Sequence, residues 1–295
     1  MSRTNLQAMR HPLRWIFGRL ILLLCLLSIG MTFGGHPAFA APEQSTPPAY
    51  TAEIETQVEN LFNAAMEATN KGNFAKAEQY WTEALDFLPN NPAIWSNRGN
   101  SKISQGKFEA ALVDYDRSVE LAPEQPDAYL NRGAVQEGLA NWEAAIADYN
   151  KVIELDPKEA AAYNNRGNAK AGQGDWNAAL TDFETAMELS PQFAFARGNY
   201  ALALYQVGER DEAIKTMRNL VRKYPQFADM RAAMTAALWD KGQIGEAESN
   251  WVAAIGLDSR YKDTAWLTEI RRWPPALVEN MEGFLTLSGD KGAKS

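Results

Sequence analysis

The stretch AYLNRGAVQEGLANWEAAIADYNKVIELDP, running from Ala128 to Pro157, decides the fold of this chain. It reads as a first helix, a break near Ala140, a second helix and a stop at Pro157, because proline cannot continue a helix. The pattern then recurs in both directions along the chain. Pro89, Pro123, Pro157, Pro191 and Pro225 stand 34 residues apart, and Ser259 takes the next place. Ala77, Ala111, Ala145, Ala179, Ala213 and Ala247 keep the same interval. Four places after each alanine comes a bulky residue: Trp81, Tyr115, Tyr149, Phe183, Met217 and Trp251. The break column holds Gly72, Gly106, Gly174, Gly208 and Gly242, with Ala140 filling its one gap. Gly99, Gly133 and Gly167 each follow an aromatic by four places, namely Trp95, Tyr129 and Tyr163.

These columns have a physical reading. Small residues on facing helices allow close approach, and the aromatics fill the space between them. One helix pair cannot bury its own apolar face, so neighbouring pairs must stack. Units framed from Val58 begin at Val58, Pro92, Pro126, Ala160, Ala194 and Ala228, and together span 58–261. Period and pattern resemble the tetratricopeptide repeat family. The resemblance implies an all-α fold, a right-handed superhelical solenoid of about six 34-residue repeats with the first helices lining the concave face. It also implies that the chain works by binding other proteins.

After Tyr261 the period fails. Trp266, Leu267, Ile270 and Trp273 predict a seventh first helix ended by Pro274-Pro275. Leu277, Val278, Met281, Phe284 and Leu285 recur at helical spacing and predict a last amphipathic helix. Residues 262–288 are thus expected to cap the stack, with docking of a partner or membrane surface as the alternative. A disordered tail is expected over 289–295.

The other end reads as an address. Arg3, Arg10, Arg14 and Arg19 precede the apolar run from Leu20 to Phe33, and Ala38-Phe39-Ala40 has the form of a cleavage site. A signal peptide over 1–40 is expected, with an uncleaved N-terminal anchor as the alternative, then a proline-bearing linker over 41–57. The protein is therefore expected to be exported, to a periplasm or a thylakoid lumen. Signal-bearing repeat proteins with a Trp-Pro-Pro tail, as in Arg271-Arg272-Trp273-Pro274-Pro275-Ala276-Leu277, resemble cyanobacterial and plastid factors that assemble or maintain photosystems.

Composition excludes several chemistries. The chain is 46% hydrophobic and 22% charged, which suits a folded core. Its only cysteine, Cys25, and both histidines, His11 and His36, fall in the first forty residues. From Ala41 onward 25 basic residues face 37 acidic ones, a net charge of −12. Cysteine and histidine catalysis, thiolate metal sites and disulfides are excluded there. No cofactor and no metal are expected, and the acidic body argues against nucleic acid.

The second, fifth, sixth, ninth, twelfth and thirteenth places of each unit are the candidate groove residues. They include no Lys and no Arg, while Glu59, Asp127, Glu137, Asp229 and Asp240 are acidic. Asn63, Asn97, Asn131, Asn165 and Asn199 hold the sixth place, and Asn100 and Asn168 form a second row. An asparagine offers a donor and an acceptor to one foreign peptide unit. At roughly 8–10 Å between helices and about 3.3 Å per extended residue, one asparagine meets about every third residue of a threaded segment. A similar asparagine ladder marks the repeat arm of O-linked N-acetylglucosamine transferase. The alternative is that these amides bond to neighbouring helices. Phe195, Leu202, Tyr205 and Trp239 form an apolar wall toward the C-terminal end, either for a ligand or for the protein's own last helix. The clamp by which heat-shock co-chaperones hold acidic tails is missing, because Ser96, Ala161 and Asn165 occupy its cationic places.

Arg98, Arg132 and Arg166 pair by column with Asp114, Asp148 and Asp182, sixteen residues on, which predicts inter-helix ion pairs. The expected function is a non-enzymatic scaffold holding an extended, neutral to basic partner segment, with membrane proximity left open. A self-assembling structural protein and a carboxylate-based hydrolase are the alternatives.

Overall fold

The computed structural model describes residues 52–292. The expected signal peptide and most of the linker lie outside them, as do the last three residues. Among the described residues there are fourteen α-helices and no strand. Six antiparallel pairs follow the expected frame: α1 (Ala52–Asn70) with α2 (Phe74–Phe87), α3 (Pro92–Ile103) with α4 (Phe108–Leu121), α5 (Pro126–Gly138) with α6 (Trp142–Leu155), α7 (Ala160–Gly172) with α8 (Trp176–Leu189), α9 (Ala194–Gln206) with α10 (Arg210–Lys223), and α11 (Ala228–Asp240) with α12 (Ile244–Leu257). Each helix packs on the next, so the chain forms a superhelical solenoid. Only α1 departs from the frame, beginning at Ala52 inside the expected linker.

The repeated residues act as punctuation. Gly106 has φ +74°, and around it the Lys107 N–H donates to the Lys102 carbonyl at 2.9 Å, wrapping the end of α3. Ala140 takes the same left-handed turn at φ +60°, a conformation a side chain resists. Second helices end where the coming proline forces its predecessor out of the helical region, as at Ala122 (φ −143°, ψ +70°) before Pro123. Asn91 then caps α3, accepting from the Ala93 and Ile94 N–H groups, with Pro92 at the first helical position.

Packing inside a pair follows the glycine and aromatic columns. Tyr115, Tyr149 and Phe183 are buried against Gly99, Gly133 and Gly167. A Cβ on Gly167 would lie 2.6 Å from the Phe183 ring, so only glycine fits there without displacing it. The predicted ion pairs join the same helices. Arg98, Arg132 and Arg166 each grip Asp114, Asp148 and Asp182 with two hydrogen bonds of 2.6–3.0 Å. These arginines are structural and do not form an anion site.

After α12 a 3-10 turn (Ser259–Lys262) leads to α13 (Thr264–Glu269) and α14 (Pro275–Gly292). Two expectations are corrected here. The seventh first helix stops at Glu269, short of Pro274, because the Arg271 and Trp273 N–H groups close back on the Trp266 and Leu267 carbonyls at 3.0 and 2.9 Å. Arg272 then sits at φ +52°. Helix α14 folds back onto the inner faces of α11 and α9, with Phe284 also against Trp251 of α12, and continues to Gly292, past Ser288 where the sequence reading ends it. Among the described residues, no helix is long and apolar enough to cross a membrane.

Candidate binding groove

The asparagine row splits into two halves. Asn63 on α1 is exposed, and Asn97 on α3 and Asn131 on α5 are half-buried. The hydrogen bonds among the described residues use none of these three side chains, so each keeps a donor and an acceptor for a foreign chain. Asn100 is already engaged, its Oδ1 accepting from the Tyr115 hydroxyl at 2.6 Å. Further along, the amides bond to one another. Asn199 Nδ2 donates to Asn164 Oδ1 and to Asn168 Oδ1, both at 3.0 Å, and Asn164 Nδ2 donates to Asn165 Oδ1 at 3.1 Å. Asn199 therefore holds α9 to α7, and Asn165 steadies Asn164 within α7, although Asn168 Nδ2 and Asn199 Oδ1 remain without a partner there.

The acids divide in the same way. Glu59 and Asp127 are exposed on the open half. Asp240 accepts from the Tyr205 hydroxyl at 2.8 Å and pairs with Arg210. Asp229 is buried and accepts from Tyr261 Oη (3.0 Å), Arg271 Nε (3.1 Å) and Trp273 Nε1 (3.1 Å), with Arg271 Nη2 at 2.6 Å from its other oxygen. One carboxylate thus fixes the whole Arg271-Arg272-Trp273 segment, since a buried charge is retained only when paired and hydrogen-bonded.

Of the wall's four residues, Tyr205 and Trp239 follow the second of its two readings, the protein's own last helix, which corrects their place among the binding residues. Tyr205 is 1% exposed, and its hydroxyl accepts from Asn280 Nδ2 of α14 at 2.8 Å. Trp239 packs edge-on against Phe284 of α14, ring centroids 5.7 Å apart. Both are filled by the protein's own helix, as is Gln206, whose Oε1 accepts from the Ala276 N–H at 3.1 Å. Phe195 differs. It stays 57% exposed, touching only Phe227 among the aromatic rings at 5.6 Å.

Where α14 enters, the groove ends in a recess of about 310 Å³. Asn168, Asn199 and Leu202 lie along its helical side, and Phe195 and Trp176 flank it. Ile270, Arg272 and Pro274 roof it. Arg272 reaches across to the third unit, donating to the Gly138 carbonyl at 3.0 Å and lying over the Trp142 ring at 4.7 Å. Its other nitrogen stands 3.8 Å from Glu137. Burial pushes the Glu137 carboxyl above the ordinary carboxylate range, while the Tyr149 hydroxyl, donating at 2.9 Å, and Arg272 pull it back. The groove that is free of cations along its first helices thus acquires two arginines from the chain's own C-terminal segment. A second cleft of about 370 Å³ at the α9–α10 and α11–α12 turns is lined by Glu209 and by two ion pairs, Arg210 with Asp240 and Lys241 with Asp211. Among the described residues no group of three His, Cys, Asp or Glu is placed to hold a metal.

Sequence reasoning placed Asp229 in the groove and missed what it binds. It also missed Asn280, the roof made by Ile270 and Arg272, and the bonds of Asn164, whose place it counted in the groove. One signal was present: α11 carries Met230, Ala232, Ala233, Met234, Ala236, Ala237 and Leu238, apolar residues on more than one face, and such a helix is buried on more than one side.

The comparisons agree with this architecture. Residues 99–139 and 141–174 match a family model described as TPR repeat, and residues 170–237 match another described as tetratricopeptide repeat. A tetratricopeptide repeat protein from Parabacteroides merdae is similar at 19% identity, over 79% of this chain and 98% of that one, with a TM-score of 0.60. MamA from Desulfovibrio magneticus is similar at 18% identity, over 56% and 94%, with a TM-score of 0.53. Another MamA structure gives 25% identity over 54% and 93%, with a TM-score of 0.50. These likenesses carry the fold. No curated protein matches the chain in sequence.

Proposed function

We propose that this chain, a solenoid of tetratricopeptide repeats, is a non-enzymatic scaffold that holds an extended segment of a protein partner along α1, α3 and α5. The observation that carries the reading is the open half of the groove, where Asn63, Asn97 and Asn131 present amides with no internal partner beside Glu59 and Asp127. A carboxamide there exchanges one bond to water for one to a peptide, which gives register, and the acids favour a neutral to basic segment. The first helices bring no positive charge to this face, and Arg272 at its edge is held by the Gly138 carbonyl and the Trp142 ring, so an acidic segment is disfavoured.

The setting belongs to the same proposal. The arginine-flanked apolar run before Ala41 favours action outside the cytoplasm, in a periplasm or thylakoid lumen. The Trp-Pro-Pro tail favours a partner under assembly or maintenance within a complex, a photosystem among them.

Replacing Asn63, Asn97 and Asn131 together by Ala is expected to weaken capture of the partner from native extract several-fold while unfolding free energy changes by less than about 0.5 kcal/mol per site, as for surface positions. Undiminished capture by the triple variant would overturn the groove reading.

A further inference from the structure

The open groove stops where α14 folds back over α9 and α11, and the recess at that point has an unusual lining. Its helical side presents one free amide donor, Asn168 Nδ2, and one free amide acceptor, Asn199 Oδ1. The two residues are already locked together, because Asn199 Nδ2 donates to Asn168 Oδ1 at 3.0 Å. A donor and an acceptor held in fixed relation suit the C=O and N–H of one peptide unit.

The lip of the recess is apolar. Phe195 is 57% exposed and Ile270 66% exposed, both large side chains left in water at the mouth of one cavity. At about 310 Å³ the recess sits at the lower end of the range for small-molecule pockets. It suits one residue of a chain better than a whole cofactor. Ile270 belongs to the segment fixed by Asp229 and Arg272, so the site exists only because the C-terminal strap crosses the groove.

We propose that this recess is an anchor site for a single large apolar side chain, of leucine to phenylalanine size, carried by the extended partner segment. That residue's peptide unit pairs with Asn168 and Asn199, and its side chain enters between Phe195 and Ile270. The inference rests on the groove reading and adds a specificity to it: the amides on α1 to α5 read backbone without regard to side chain, and the recess chooses the anchor. The recess is continuous with the open groove, and the acidic open half selects a neutral to basic segment, so the occupant is a partner peptide of that chemistry.

The experiment uses the full chain and two pools of nine-residue neutral or basic peptides, one with Leu or Phe at the central place and one with Ser there. Fluorescence polarisation is expected to show the apolar pool bound at least ten-fold more tightly. Phe195→Ser with Ile270→Ser, both largely exposed, is expected to reduce that preference below three-fold, with the melting temperature lowered only by the lost edge contact of Phe195 with Phe227. The Asn63, Asn97 and Asn131 triple variant is expected to weaken both pools alike and keep the preference. Equal binding of the two pools by the unaltered chain would overturn the anchor and leave the scaffold standing. Binding of neither pool would overturn both. A preference untouched by the double variant, or self-association of the chain abolished by it, would likewise overturn the anchor, the latter by making a second copy the occupant.

Discussion

In the units from α1 to α8 the buried apolar side chains form small separate groups, such as Ala111 with Tyr115 and Val135, or Ala145 with Tyr149 and Ala169. From α9 onward they fuse into one cluster that runs from Ala201 to Phe284 and includes α14. The period is the same in both regions, and so is the pairing of helices. What differs is the inner face of the first helices. On α3 and α5 it carries Asn97, Asn131 and Asp127 and meets water. On α9 and α11 it carries Leu202, Tyr205, Ala233 and Trp239 and meets α14. One repeat scaffold therefore makes an open groove where its inner face is polar and a closed core where that face is apolar.

The sharpest way to break the contrast is Phe284→Ala. Phe284 is buried between Trp239 and Trp251, with centroid distances of 5.7 and 5.5 Å. The substitution is expected to cost about 3–5 kcal/mol. Contacts in a solenoid are mainly between neighbours, so amide hydrogen exchange should accelerate in α9, α11 and α14 and stay unchanged in α1 to α6. A uniform acceleration along the chain would show the two regions to be one cooperative unit.

Asp229→Ala comes next. It strands the Arg271 guanidinium and the Trp273 indole, an expected loss of about 3 kcal/mol in denaturant unfolding. Because Arg272 is carried on the same segment, limited proteolysis should cut between Ile270 and Pro274 in the variant, and resistance there would place the hold on the strap elsewhere.

Ala140→Gly acts in the open region and in the other direction. The other five units have glycine at this left-handed turn, so the exchange is expected to stabilise by about 0.5–1 kcal/mol, the relief of backbone strain less the added chain entropy. A lower melting temperature would refute the strain.

Glu137→Gln is the finest probe, since Glu137 lies where the regions meet. Its carboxyl is raised in the folded chain, so its contribution to stability is fully present below the ordinary carboxylate value and is lost as pH rises through the raised one. The variant is expected to melt higher than the unaltered chain at pH 7 and equally at pH 4. Thermal scans at the two values check it, and the opposite ordering would mean that the pull of Arg272 outweighs burial.

Much of this was legible in the residues. The proline, alanine and glycine columns place five of the six unit starts, and the matched appearance of Arg98, Arg132 and Arg166 with Asp114, Asp148 and Asp182 predicts pairs that the structure contains. The asparagine row was legible as a row and not as a function. Asn131 and Asn165 occupy equivalent places, yet one side chain is free and the other accepts from Asn164, because α7 alone carries an asparagine at its fifth place.

Repetition settles what lies between neighbours, since each helix meets the same partners at the same spacing in every unit. The sequence by itself therefore determined the stack, its punctuation and its inter-helix ion pairs. It could not determine where the non-repeating C-terminal segment goes. That rests on contacts such as Arg272 with Gly138, 134 residues apart, and on which apolar face accepts the apolar face of α14. Periodicity carries no information on such a pairing, and burial is non-directional. The tertiary structure alone decided it, through the apolar inner faces of α9 and α11 and the buried carboxylate of Asp229 that holds Arg271 and Trp273.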